Sequence, residues 1–259
     1  MKLSEMKKIE NVHYKVQQGV FFTGHKDIEG ARLYWNDKIT DYYWNLAGLI
    51  NAKQPEELIK EVITFLKGKN RPPTFYIVPW TKPKNFRELL QKTGFKIAYQ
   101  DAWQVYNGPQ KIDVLPNLEI KEVKTESEMK TFVDVFNKAF SGAPGDPYGA
   151  LPKEYGETVF LSFGKKFWKN YLVYCNGLPV ATGGIAIDGE CAGIYSIGTD
   201  PKFRKKGFGA AIVNFLTKIA LENNCKFIFL QTLKGSTNEK FYNKLGFKTE
   251  FTGEGWILK

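Results

Sequence analysis

Cysteine is scarce in this 259-residue chain: Cys175, Cys191 and Cys225 are an odd number, and no Cys-x-x-Cys pair occurs. That usage excludes a disulfide scaffold and points to a reducing compartment. Histidine is scarcer still, with only His13 and His25. Without a His-Glu-x-x-His run or a Cys/His cluster, neither a structural nor a catalytic metal site is expected. No apolar run approaches the ~18–20 residues of a membrane-spanning helix. Met1–Tyr14 carries lysines but lacks the apolar stretch of a signal peptide. The expectation is a soluble, cytoplasmic protein that works off the membrane and without a metal. Two active-site signatures are missing as well. No glycine-led Gly-Lys-Ser/Thr forms a P-loop, and Gly193-Ile-Tyr-Ser-Ile-Gly198 has one residue too many for a Gly-x-Ser-x-Gly elbow.

What is present is ordinary globular composition: 43% hydrophobic and 25% charged residues, enough to bury a sizeable core. At ~100–200 residues per domain, the length suits one large domain or two small ones. The 37 basic and 27 acidic residues leave a net charge of +10, which favours an anionic partner. The excess is spread over both halves. A dedicated nucleic-acid binder concentrates it, so a nucleic-acid partner is not expected.

From Leu118 onward the pattern is regular. Leu118–Val123 alternates apolar and charged residues, as a half-buried strand does. Thr125-Glu-Ser-Glu128 has capping-box spacing, and Met129, Phe132, Val133, Phe136 and Phe140 follow at helical intervals. Ser141–Pro152 is rich in Gly and Pro and predicts a loop, one that Asp146 and Tyr148 could close over a substrate. A short helix over Lys153–Phe163 follows. Tyr171–Cys175, Val180–Ile187 and Ala192–Thr199 predict an antiparallel meander, turned at Asn176-Gly177 and Asp188-Gly189. Phe208 to Ala220 is a long amphipathic helix and Lys226–Thr232 an apolar strand. Ser236-Thr-Asn-Glu239 is a second capping box, for a helix ended by Gly246, and Lys248–Phe251 and Gly255–Leu258 finish as strand.

The first half repeats part of this order. Pro55–Lys67 is an amphipathic helix, Thr74–Val78 a strand, Asn85–Thr93 a helix, and a last strand runs to Val105. Lys92-Thr-Gly-Phe-Lys96 aligns with Lys244-Leu-Gly-Phe-Lys248. The expectation is a mixed α/β fold in two related domains, residues 1–110 and 118–259. The linker is expected near Gly108–Asn117, where Gly, Pro, Asp and Asn collect. A single mixed α/β domain is the plainer alternative.

The most informative stretch is Ser196-Ile-Gly-Thr-Asp-Pro-Lys-Phe-Arg-Lys-Lys-Gly-Phe-Gly-Ala210. It places a strand end, a basic turn and Gly-x-Gly at the start of a long helix. Helix starts have unpaired N–H groups and a positive dipole end, which together bind phosphate. Gly207 and Gly209 remove side chains where a phosphate must approach, and Arg204, Lys205 and Lys206 add positive charge. A second triplet, Gly253-Glu-Gly255, has no such setting. The plainer reading of the first is a basic turn before an ordinary helix.

Arg204-Lys-Lys-Gly-Phe-Gly209 resembles the (Gln/Arg)-x-x-Gly-x-(Gly/Ala) motif of the GCN5-related N-acetyltransferase (GNAT) family. Thr199-Asp-Pro-Lys-Phe resembles that family's approach to the motif, and Phe241-Tyr-Asn-Lys-Leu-Gly-Phe247 its last helix and turn. The resemblance implies two tandem GNAT-like domains, mixed α/β in class, with the C-terminal one complete. It implies acetyl-CoA as co-substrate, with no metal. Lys205, Lys206, Gly207, Phe208, Gly209 and Ala210 would offer N–H groups to the pyrophosphate. Ile197, Gly198 and Thr199 would hold the pantetheine, the Ile197 N–H polarising the acetyl carbonyl.

The reaction so implied is direct transfer to a small-molecule or peptide amine, with Tyr242, five residues before Phe247, as general acid. Glu157, Asp188, Glu190 and Asp200 could act as base, or Tyr195 and Ser196 could order a water; nothing separates them. Cys191 reads as an apolar filler, because no histidine of this half could activate it. The first half departs from the family pattern, with Asn51-Ala-Lys-Gln54 before its helix and Leu90 five residues before Phe95. It is expected to have lost cofactor binding. Its aromatic run, Tyr34-Trp35 and Tyr42-Tyr43-Trp44, suits core packing or a pocket for an apolar or cationic substrate. A monomer and a homodimer remain open, and a non-catalytic acyl-CoA-binding or regulatory module is the alternative function.

Overall fold

The computed structural model describes residues 1–108, 118–143 and 148–258. The expected linker, residues 109–117, and Asp146 of the expected lid lie outside the described residues. Along the chain run α1 (Leu3–Gln17), β1 (Gly24–Ile28), β2 (Ala31–Trp35), β3 (Leu46–Gly48), α2 (Pro55–Gly68), β4 (Thr74–Ile77), α3 (Phe86–Lys92) and β5 (Lys96–Tyr106). Then come β6 (Leu118–Glu122), α4 (Glu126–Ala139), α5 (Lys153–Phe160), β7 (Trp168–Cys175), β8 (Leu178–Asp188) and β9 (Cys191–Thr199). A 3-10 turn (Pro201–Phe203), α6 (Phe208–Glu222), β10 (Phe227–Leu233), α7 (Thr237–Lys244) and β11 (Phe247–Ile257) complete it.

Two compact units form, and they cut across sequence order. The first takes Met1–Val16, Gln104–Leu230 and Gly235–Lys248; the second takes Gln17–Trp103, Gln231–Lys234 and Thr249–Lys259. Two segments explain the difference from a simple division near residues 110–118. Helix α1 packs with the meander: Lys15 pairs with Asp188 at 2.7 Å, Lys8 pairs with Glu190, and Trp168 Nε1 donates to the Val16 carbonyl at 2.7 Å. At the other end, Glu254–Ile257 of β11 pairs antiparallel with Thr74–Ile77 of β4, inside the second unit.

The first unit is built on β6-β7-β8-β9, an antiparallel ladder, with β10 parallel to β9. The meander turns as expected, with Asn176 at φ 50° and Gly177 at φ 77° supplying the positive φ values of a tight hairpin. Helix α6 buries Ile212, Val213, Leu216 and Ala220 in one cluster with Val180, Ala181, Ile194 and Ile228 of the strands. The capping box at Thr125 forms in full, and Ser236 caps α7 with its side chain. Thr125 Oγ1 accepts from the Glu128 N–H at 3.2 Å, and Ser236 Oγ from the Glu239 N–H at 3.2 Å. The apolar face of α4 includes Val135 where Val133 was expected, and Val133 is only half-buried.

In the second unit the strands run β1-β2-β3-β4-β11-β5. Helices α2 and α3 bury Leu58, Val62, Leu66, Phe86 and Leu90 against Phe75, Ile77, Phe95 and Trp256. Leu90, standing where the family resemblance asks for tyrosine, is fully buried in this core. The C-terminal strand is one element of 11 residues, not the two pieces expected from sequence.

Candidate functional site

The site starts at a defect in the β8–β9 ladder. Thr182 faces Gly198 and Gly184 faces Tyr195, so Gly183 alone opposes Ser196 and Ile197. Ser196 takes φ 52°, and its carbonyl accepts from Thr182 Oγ1 at 2.8 Å. Such a bulge bends the strand and takes backbone groups out of the ladder, here beside Ile197. Gly198 follows, and a Cβ there would lie 2.7 Å from the Ala139 Cβ, so the close approach of α4 demands glycine.

Asp200 ends the strand and accepts from the Lys202 N–H at 2.9 Å, capping the 3-10 turn. Arg204 turns toward protein carbonyls: Nε donates to Thr199 O at 3.3 Å and Nη2 to Ala139 O. It braces the end of β9 against the end of α4. Gly207 then caps α6 at φ 87°, a left-handed conformation that favours glycine, and offers no side-chain cap. The first helical bond is Ala211 N–H to Gly207 O at 3.0 Å. Among the described residues, the N–H groups of Phe208, Gly209 and Ala210 have no backbone acceptor. Lys205, Lys206 and Gly207 are exposed beside them. Three orphan donors, an open dipole end and two lysines are what a phosphate binds.

Tyr242 sits on α7, with Phe241 and Phe247 edge-on at 5.0 and 6.1 Å. It is 9% exposed and belongs to the same apolar cluster as Phe208 and Ile212. Burial, helped by the nearby Tyr148, raises its hydroxyl well above the usual tyrosine range, so it holds its proton at any physiological pH.

The proposed bases fare differently. Glu190 is held between Lys8 and Lys226, and the hydrogen bond from Lys226 leads in lowering it to about 2. Asp188 pairs with Lys15, and Glu157 is exposed on α5. Cys191 is 1% exposed, and burial raises its thiol to about 11, in keeping with a packing role. One neighbour escaped the sequence reading. His13 of α1 sets its Nδ1 3.2 Å from Tyr195 Oη, and burial lowers its imidazole to about 3, so it is neutral. No pattern could have shown it, because the two residues are 182 positions apart.

Among the described residues, no group of three or more His, Cys, Asp or Glu could hold a metal ion. No described helix is long and apolar enough to cross a membrane.

Fold and site together define an α/β protein with an open helix start behind a bulged strand. Comparison with known proteins points to one family for part of the chain. Residues 132–247 match the model of the Acetyltransferase (GNAT) family. An uncharacterized N-acetyltransferase of Methanocaldococcus jannaschii is 28% identical over 169 residues, which are 60% of this chain and 69% of that protein. A GCN5-related N-acetyltransferase from Kribbella flavida has a similar structure, with a TM-score of 0.69 at 15% identity over 97% of this chain and 94% of that one. A tandem GNAT protein from the clavulanic acid biosynthesis pathway aligns with a TM-score of 0.61 at 10% identity, covering 88% and 78%. Residues 132–247 thus match an acetyltransferase family, and the chain has a mixed α/β fold similar to that of these GNAT structures.

Proposed function

We propose that the protein is an N-acetyltransferase that passes an acetyl group from acetyl-CoA directly to an amine in a ternary complex. The observation that carries this reading is the start of α6: three N–H groups without backbone acceptors, opened by Gly207 and flanked by Lys205 and Lys206. These groups fit a pyrophosphate. Acetyl-CoA supplies the acyl group as an activated thioester. Lys205–Ala210 hold its phosphates, and Ile197, Gly198 and Thr199 align its pantetheine through the main chain. The Ile197 N–H, beside the bulge, is the donor for the acyl oxygen. Arg204 keeps the frame of this cradle. Tyr242 keeps its proton until the leaving sulfur needs one, a contribution of about 10²–10⁴ in rate. Residues 118–259 form the catalytic domain in this reading, and 1–110 are a GNAT-like part that has lost its cradle.

A thermal-shift titration with acetyl-CoA, CoA and ATP tests it. A ligand at 100 times its Kd stabilises by about 2.7 kcal/mol, roughly 5–10 °C for a chain of this size. A saturable shift with acetyl-CoA but not ATP is expected, and Gly207→Glu abolishes it. No shift at millimolar acetyl-CoA overturns the cradle. Binding without turnover over a panel of amines makes the protein an acyl-CoA-binding module instead.

A further inference from the structure

The second unit carries a constellation that the cradle does not use. Strand β11 runs between β4 and β5 and bears glycine at two alternate positions, Gly253 and Gly255. A Cβ at Gly253 would lie 2.0 Å from Tyr76 Oη, and one at Gly255 would lie 1.9 Å from the Tyr99 ring. Tyrosines from the two flanking strands therefore lie flat across β11, in a trough that only glycine permits. Side chains alternate along a strand, so Tyr99, Asp101 and Trp103 of β5 share one face. Helices α2 and α3 cover the other face, that of Phe75, Ile77 and Trp256. Tyr42 and Tyr43 close over the trough, with ring centroids 5.6 and 4.3 Å from that of Tyr99.

Asp101 stands among these rings. Tyr76 Oη donates to its Oδ2 at 3.1 Å and itself accepts from Trp103 Nε1 at 2.8 Å and Gln231 Nε2 at 3.4 Å. The carboxylate is thereby held in one place. Among the described residues, this is the only hydrogen bond to it, and no basic side chain pairs with it. Desolvation raises the carboxyl to about 7, against the lowering effect of the Tyr76 hydrogen bond. Asp101 nevertheless keeps some accessible surface, as do Asp41, Tyr42 and Tyr43. A desolvated, oriented and reachable carboxylate without a counter-ion is costly to maintain. Tyrosine faces attract cations, and more strongly when desolvated.

We propose that this face of the second unit binds an alkylammonium ion, with Asp101 as its counter-charge and Tyr42, Tyr43 and Tyr99 as its aromatic wall. The aromatic run noted in the sequence then has a use beyond packing, and so does the second Gly-x-Gly. The ion selects the charged form of Asp101. Tyr76 of β4 donates to that carboxyl and Tyr99 of β5 faces it, while Asp41, Tyr42 and Tyr43 of the covering segment act on Tyr99. Burial holds the Tyr99 hydroxyl well above the usual tyrosine range, so Asp101 rather than Tyr99 governs the pH dependence below pH 8. Only the ionised fraction is competent, so affinity is expected to be about 30-fold weaker at pH 5.5 than at pH 8.5.

The test uses the full chain without any CoA, so that it is independent of the cradle. The protein is titrated with n-butylammonium chloride, n-butanol and sodium butyrate, followed by calorimetry and tryptophan fluorescence. Saturable binding of butylammonium, at least tenfold tighter than butanol and with no response to butyrate, is expected. Asp101→Asn should remove that preference while leaving the melting temperature unchanged or higher. Tyr43→Leu should weaken butylammonium binding without altering its pH profile. Equal responses to butylammonium and butanol, or wild-type binding by Asp101→Asn, would overturn the proposal and leave the trough as core packing.

Discussion

Replacing Gly209 by alanine separates stability from coenzyme binding. Gly209 is the second residue of α6, and a Cβ there would meet Thr199 Oγ1 at 3.5 Å and the Phe241 ring at 3.6 Å. Those are ordinary contacts, so the methyl fits. Alanine in place of a helical glycine contributes about 0.5–1 kcal/mol, and the melting temperature of the free protein should rise by roughly 1–4 °C. The motif that Arg204–Gly209 resembles accepts alanine at this last position, so the methyl should leave room for a pyrophosphate at the Phe208, Gly209 and Ala210 donors and leave the affinity for acetyl-CoA unchanged. Gly207→Glu instead sets a bulky negative side chain at those donors; losing one hydrogen bond to a charged group costs about 1.5–3 kcal/mol, roughly a 10- to 150-fold rise in Kd. Melting curves of the free protein and calorimetric titration with acetyl-CoA measure the two effects separately. Wild-type affinity in Gly207→Glu would show that no phosphate sits at this helix start; Gly209→Ala carries the stability half of the test. A destabilised variant would refute the packing argument instead.

Two buried groups set opposite pH slopes. His13 is lowered to about 3, so stability falls as pH drops below about 6.5, where only the unfolded chain gains its proton. Asp101 is raised to about 7, so stability rises as pH drops from about 7 toward 4, where the native chain gains its proton first. Each slope is about 1.4 kcal/mol per pH unit, and between about pH 4 and 6.5 they cancel. Asp101→Asn is expected to expose the His13 slope, and Asp101→Asn with His13→Gln to flatten it; an unchanged profile in melts at stepped pH would refute both assignments. Tyr242→Phe should lower kcat by about 10²-fold or more with acetyl-CoA affinity and melting temperature retained, and a wild-type kcat excludes the acid role. Ser236→Ala removes the cap on α7 and should cost about 1 kcal/mol, seen as a lower melting temperature; no change would mean that solvent replaces the cap.

Much of the fold was legible because its signals are local. The helix caps at Thr125 and Ser236, the Asn176-Gly177 turn and the apolar faces of α2 and α6 each depend on residues a few positions apart. The cradle was legible for the same reason, since Arg204–Ala210 are consecutive. The register of β8 on β9 was not, although its bulge decides where the Ile197 backbone points. Helix α1 and strands β1–β3 gave no pattern strong enough to read. Lys8, His13 and Lys15 acquire their roles only from Glu190, Tyr195 and Asp188, far along the chain.

By itself, then, the sequence carried the family resemblance, the open helix start with its glycines and lysines, and, through that resemblance, the acid candidate at Tyr242, because each rests on residues close together in the chain. Tertiary structure alone decided that β11 lies between β4 and β5, that His13 meets Tyr195, and that Asp101 stands among tyrosines. It also turned Glu190 from a candidate base into the anion of a lysine pair. Desolvation and pairing between distant segments have no signature in composition or spacing, and they set the charge of each of these groups.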